Sequence, residues 1–148
     1  MSEHRSTIEW QRGDAAFDYE SYSRNHTWRF ENGLGVEASA APEFLGDAAR
    51  IDPEEALVAS IASCHMLTFL ALAARKRWVV ERYRDAAVGT LEKNSDGKLA
   101  VTRVVLHPEV EFADVAPSTE QLEKAHHKAH EGCFIANSVR TQIDLEPV

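Results

Sequence analysis

Cations are in short supply in this chain of 148 residues: 16 Lys and Arg stand against 24 Asp and Glu, a net charge of -8. That sign repels phosphate backbones and anionic headgroups, which argues against nucleic acid and membrane surfaces and leaves small molecules and proteins as expected partners. Cysteine is scarcer still. Two residues, Cys64 and Cys133, are too few for the disulfide framework of a small secreted domain. The opening segment MSEHRSTIEWQRGD lacks the apolar stretch of a signal peptide, and no lipidation motif closes the chain. The expectation is a cytoplasmic protein with reduced thiols that are catalytic, redox-active or metal-binding rather than stapled. No Ser/Gly/Pro-rich linker or shift of composition interrupts residues 1–148, which read as one domain.

The most telling absence is local. From Ala56 to Ala74 there is no Gly, Pro, Asp, Glu, Lys or Arg. Ahead of this run stand Asp52 as an N-cap, Pro53 at the first helical position and Glu55 three residues after the cap, an acidic capping box. Behind it, Arg75, Lys76 and Arg77 suit the negative end of a helix dipole. The stretch Asp52–Arg77 therefore predicts a helix apolar on all sides, which must be buried all round. Ser60, Ser63, His65 and Thr68 interrupt it, and no other hydrophobic anchor accompanies it, so a core helix is expected rather than a membrane span.

Before this helix, TIEWQ, HTWRFE and VEASAA read as short strands, the last two forming a hairpin through Glu31-Asn32-Gly33-Leu34-Gly35. The linker APEFLGDAARI places Phe44 and Leu45 where they could cover a pocket. After it, VVERYRDAAVGTLEKN reads as one long strand, turning at Asn94-Ser95-Asp96-Gly97 into KLAVTRVVLHPEVEF. APSTEQLEKAHHKAHEG is an amphipathic helix capped by Ser118 or Thr119 and stopped at Gly132, and RTQIDLEP is a terminal strand. The plan is α+β, with helices on one face of a mostly antiparallel sheet. One sheet cannot cover a helix that is apolar all round. The remainder calls for a homodimer whose sheets wrap around two central helices.

Cys64 lies inside the apolar helix, where it is either a small buried hydrophobe or a nucleophile. Cys133 follows the stop at Gly132 and is expected to open a new helical turn, whose dipole and free N–H groups favour a thiolate. A thiolate at Cys64 needs a cation beside it and an acid to orient that cation, with Arg24, Arg29, Glu54 and Glu55 as candidates. Glu55 has the capping role, which leaves Glu54 free. On one straight helix Glu54 and Cys64 stand roughly 15 Å apart, so either a long arginine bridges the gap or two antiparallel copies crossing near Ala59 make an interfacial site. A rival arrangement is a metal site built from His126, His130 and Cys133 with Cys64. His65, turned about 100° away from Cys64, is expected to be a packed neighbour and not its base.

DPEEALVASIASCHM and AHEGCFIANSV, taken together, resemble the OsmC/Ohr family of thiol peroxidases from about the HTW strand to the end of the chain, in wording nearer the OsmC-like branch. The resemblance implies an intertwined α+β homodimer that needs no cofactor or metal. It further implies that Cys64 is peroxidatic, Cys133 resolving and Glu54 the carboxylate holding an arginine, for which Arg24 is chosen ahead of Arg29. The implied substrate is a small hydroperoxide, organic in preference to hydrogen peroxide if Phe44, Met66 and Phe69 build an apolar pocket. The Cys64–Cys133 disulfide would be reopened by an external dithiol reductant, for the Ohr branch a lipoyl protein. A protein of the same fold that binds an apolar ligand, its thiols incidental, is the alternative.

Overall fold

The computed structural model describes residues 1–148 as two compact units, Met1–Ala56 and Leu57–Val148. The boundary between them falls within the long helix α1, Pro53–Arg75.

In the first unit, β1 (Ser6–Glu9), β2 (His26–Phe30) and β3 (Gly35–Ala38) form an antiparallel sheet in that order. Trp28 pairs with Ile8 on one side and Val36 on the other. The β2–β3 hairpin turns at Asn32-Gly33, where the Asn32 side chain accepts from the Leu34 N–H and Gly33 takes φ 84°. Beyond β3 the chain makes a 3₁₀ turn over Pro42–Phe44 and folds back so closely that a Cβ at Gly46 would fall on the Ala40 carbonyl. The α1 cap is the predicted box: the Glu55 N–H donates to Asp52 Oδ1 at 2.8 Å and the Asp52 N–H to Glu55 Oε2 at 3.1 Å.

In the second unit, the two stretches read as single long strands are each broken. The first becomes β4 (Val80–Asp85) and β5 (Val88–Lys93), the second β6 (Leu99–Leu106) and β7 (Pro108–Phe112). The cause is Pro108, which has no N–H to donate, together with Asp85, whose carboxylate takes the His107 N–H at 2.8 Å and so diverts it from the ladder. One hairpin thus feeds two sheets: β4 with β7, and β5 with β6, to which β8 (Gln142–Leu145) adds in parallel. Helix α2 (Thr119–Gly132) starts at a Ser118–Gln121 capping box and includes the residue expected to stop it.

Two apolar clusters hold this unit together. Phe69 and Ala73 of α1 pack with Ala125 and Ala129 of α2 over Tyr83, Val110 and Phe112. Ile61 packs with Val104 and Leu106 of the β5–β6–β8 sheet. Gly89 permits the second contact, since a Cβ there would overlap Val58 of α1. Contrary to the expectation from its composition, the helix is not buried all round. Its buried residues form one stripe, Ile61, His65, Phe69 and Ala73, while the opposite stripe Ala59, Ser63, Leu67 and Ala71 lies exposed. The fold is α+β with mainly antiparallel strands.

Candidate functional site

The two cysteines are neighbours. Cys64 projects from the middle of α1 and is half-buried; Cys133 is the C-cap of α2 and is 1% exposed. Both are free thiols, and Cys64 shares its groove with Gly132 and Phe134, the residues on either side of Cys133. The close approach of the end of α2 to α1 depends on Gly132, where a Cβ would stand 3.3 Å from Thr68 Cγ2. Cys133 does precede a new turn: its carbonyl accepts from the Asn137 N–H and its sulfur from the Ala136 N–H at 3.5 Å. The expectation of a favoured thiolate fails, however. Burial pushes the Cys133 thiol up, the Ala136 N–H opposes that only in part, and Cys64 raises it further by hydrogen bond and by charge. Cys133 is held as a protonated thiol.

Cys64 opens onto a groove of about 500 Å³ lined mainly by Leu67, Ala71, Leu72 and Phe134, with Arg75 and Lys128 also on its walls. Phe134 is 80% exposed. Neither Met66 nor Phe69 lines this groove as expected. Phe69 is instead a fully buried core residue, sandwiched against His126 with ring centroids 4.3 Å apart.

Arg24 and Glu54 both line a cavity of about 590 Å³ within residues 1–56. Its walls are Ile8, Trp10, Phe17, Tyr22 and Phe44, so Phe44 has its expected place, whereas Leu45 is not among the lining residues. Arg24 is held without a carboxylate. Its guanidinium donates to the carbonyls of Tyr22 at 2.6 Å and Tyr19 at 2.5 Å, and lies 3.7 Å from the centre of the Tyr22 ring. The Trp28 indole can only donate, so His26 Nε2 accepts from it at 2.9 Å and His26 Nδ1–H donates to the Arg24 carbonyl at 2.7 Å. No ion pair joins Arg24 to Glu54. Arg29 lies outside this cavity and is paired with Glu9 at 2.5 Å.

The proposed metal ligands do not converge. No group of three or more His, Cys, Asp or Glu side chains is placed to hold an ion. His126 turns to His65, Nδ1 to Nε2 at 3.1 Å with rings nearly parallel, both residues 1% exposed. Burial is the main reason both imidazoles fall to about 4, and for His65 the neighbouring His126 and His130 add to the effect. His65 is thus a packed neighbour of Cys64, as expected, but its pairing with His126 was not foreseen. The signal was present: His65 sits in the four-residue repeat Ile61, His65, Phe69, Ala73, and His126 lies beside Ala125 on the buried face of α2. The tyrosines around Arg24 carried no comparable periodicity.

A dithiol set between two helices beside two separate sheets is the arrangement of an α+β thiol protein. The profile described as OsmC-like protein matches residues 46–148, and the chain belongs to that family. Over its whole length the chain is 52% identical to an OsmC-like protein of unknown function from Vibrio cholerae, with a TM-score of 0.96 and all of both chains covered. An organic hydroperoxide resistance protein from Elizabethkingia anophelis shares the fold at TM-score 0.74 and 17% identity, with 99% of this chain and 94% of that one covered. One from Legionella pneumophila does so at 0.71 and 18%, covering 99% and 97%. Curated proteins gave no match. The family match begins after Arg24.

Proposed function

We propose that this protein is a thiol-dependent hydroperoxide reductase that prefers organic hydroperoxides. The observation that carries the reading is the pair of free thiols, one half-exposed on an apolar groove and the other buried beside it. The Cys64 thiolate attacks the distal oxygen of ROOH, the O–O bond breaks, and alcohol leaves with one proton from solvent, giving Cys64 sulfenic acid. The Cys133 thiol then displaces the sulfenic hydroxyl; the S–S bond forms and the Cys133 proton departs in water. An external dithiol reopens the disulfide by two exchanges and is itself oxidised.

In this reading the exposed stripe of α1 is covered by a second copy, since the small side chains of Ala59, Ser63 and Ala71 suit close helix contact and Leu67 is a large apolar residue left exposed. The partner then completes the thiol site with Glu54 and Arg24. A second reading has one observation in its favour: the aromatic cavity of residues 1–56 contains no cysteine among its lining residues. It would hold an apolar ligand whose binding survives Cys64→Ser.

Stopped-flow consumption of cumene hydroperoxide and hydrogen peroxide by wild type, Cys64→Ser and Cys133→Ser tests the proposal. The expected result is loss of all turnover in Cys64→Ser, with a single turnover ending in sulfenic acid in Cys133→Ser. Turnover in Cys64→Ser would refute it. Sedimentation at micromolar concentration is expected to give a dimer, and a fully active monomer would exclude the shared site.

A further inference from the structure

His65 and His126 have no part in the chemistry above, yet their position is specific. His65 follows Cys64 on α1, and His126 precedes Cys133 by seven residues on α2, two turns along the same face. Their single hydrogen bond is bought dearly: His65 Nδ1 and His126 Nε2 are both buried with no partner. Two apolar side chains would pack there with no polar group left unpaired. What the imidazoles add is direction. The rest of the buried α1–α2 contact, Phe69 stacked on His126 and Ala73 with Ala125 and Ala129, is apolar and tolerates slippage. A slip of one turn would leave all four ring nitrogens unpaired in the core, so the hydrogen bond specifies one register.

We propose that the buried His65–His126 hydrogen bond fixes the register of α2 on α1 and so positions Cys133 against Cys64. Both histidines are positioning residues, and the inference rests on reading the two cysteines as a redox pair. The relevant quantity is the effective concentration of one thiol towards the other. It is measured in glutathione redox buffers, where two protein thiols and one oxidised glutathione give the Cys64–Cys133 disulfide and two reduced glutathiones.

The test compares wild type with His126→Leu, His126→Asn and His126→Gln, with folding monitored by near-UV circular dichroism. An Asn amide reaches the place of Nδ1 and a Gln amide only that of Nε2. His126→Leu and His126→Gln are expected to lower the effective concentration at least about ten-fold, with mixed glutathione disulfide at Cys64 accumulating instead. His126→Asn is expected to stay within about three-fold of wild type. A folded His126→Leu or His126→Gln that matches wild type overturns the proposal, as does a loss in His126→Asn equal to that in His126→Gln. If His126→Leu does not fold, the Asn and Gln variants decide. No peroxide is used, so a protein that closes its disulfide but consumes no hydroperoxide refutes the proposed activity and leaves this inference standing.

Discussion

Acid should loosen this protein well before its carboxylates are protonated, because two imidazoles are sealed in the core. In the folded chain His65 and His126 titrate near 4, against 6.5 for the free side chain. Between those values the unfolded chain binds protons that the folded chain refuses, so stability is complete above about pH 6.5 and falls as pH drops towards about 4. The full shift corresponds to about 3 kcal/mol for each ring, and about 2 kcal/mol of it is lost by about pH 5. For the pair, about 4 kcal/mol is a large share of the 5–15 kcal/mol typical of a folded domain. Asp85, raised by burial, works the other way, because its carboxyl takes up a proton in the folded state first. The comparison with His126→Leu removes that contribution. Urea unfolding at fixed protein concentration, followed by tryptophan fluorescence, should show a steep fall in stability from about pH 7.5 to about pH 5 in wild type and a shallower one in the variant. Equal slopes in the two proteins would refute the reasoning.

Three further outcomes follow from the same geometry. Gly89→Ala puts a Cβ into Val58 and should cost about 1–3 kcal/mol in chemical denaturation without altering the thiol chemistry of the surviving fold. Asp52→Ala removes the acceptor for the Glu55 N–H at the start of α1 and should lower stability by about 1 kcal/mol, while Asp52→Asn should restore most of it. Iodoacetamide at neutral pH should label Cys64 and leave Cys133 unmodified until urea unfolds the chain, because Cys133 is 1% exposed and its thiol is raised by burial. Peptide mapping reads the order, and equal labelling of both residues would contradict it.

Local signals were legible wherever the chain decides its own conformation over a few residues. The Asp52–Glu55 box, the Ser118 cap, the Asn32-Gly33 hairpin and the Asn94–Gly97 turn all depend on contacts within a turn or two. The break after Asp85 was hidden because its cause, the His107 N–H, lies 22 residues away. Cys133 was placed correctly at a helix end, but its ionisation was misjudged. Dipole and N–H groups were visible in the sequence, whereas the burial that outweighs them comes from tertiary packing. Arg24 could be chosen over Arg29 only weakly from the sequence; the Glu9–Arg29 ion pair and the Tyr19–Tyr22 cradle separate them in space. The uniform apolarity of α1, read as burial all round, concealed that a single stripe, Ile61, His65, Phe69 and Ala73, is buried.

The central claim is that Cys64 and Cys133 form one redox unit, and mass spectrometry of reduced protein titrated with cumene hydroperoxide tests it most directly. The account predicts that about one equivalent of peroxide removes both thiols and yields a single intramolecular Cys64–Cys133 disulfide, reversed by a dithiol. Progressive oxidation of Cys64 to sulfinic acid while Cys133 remains a free thiol would contradict it.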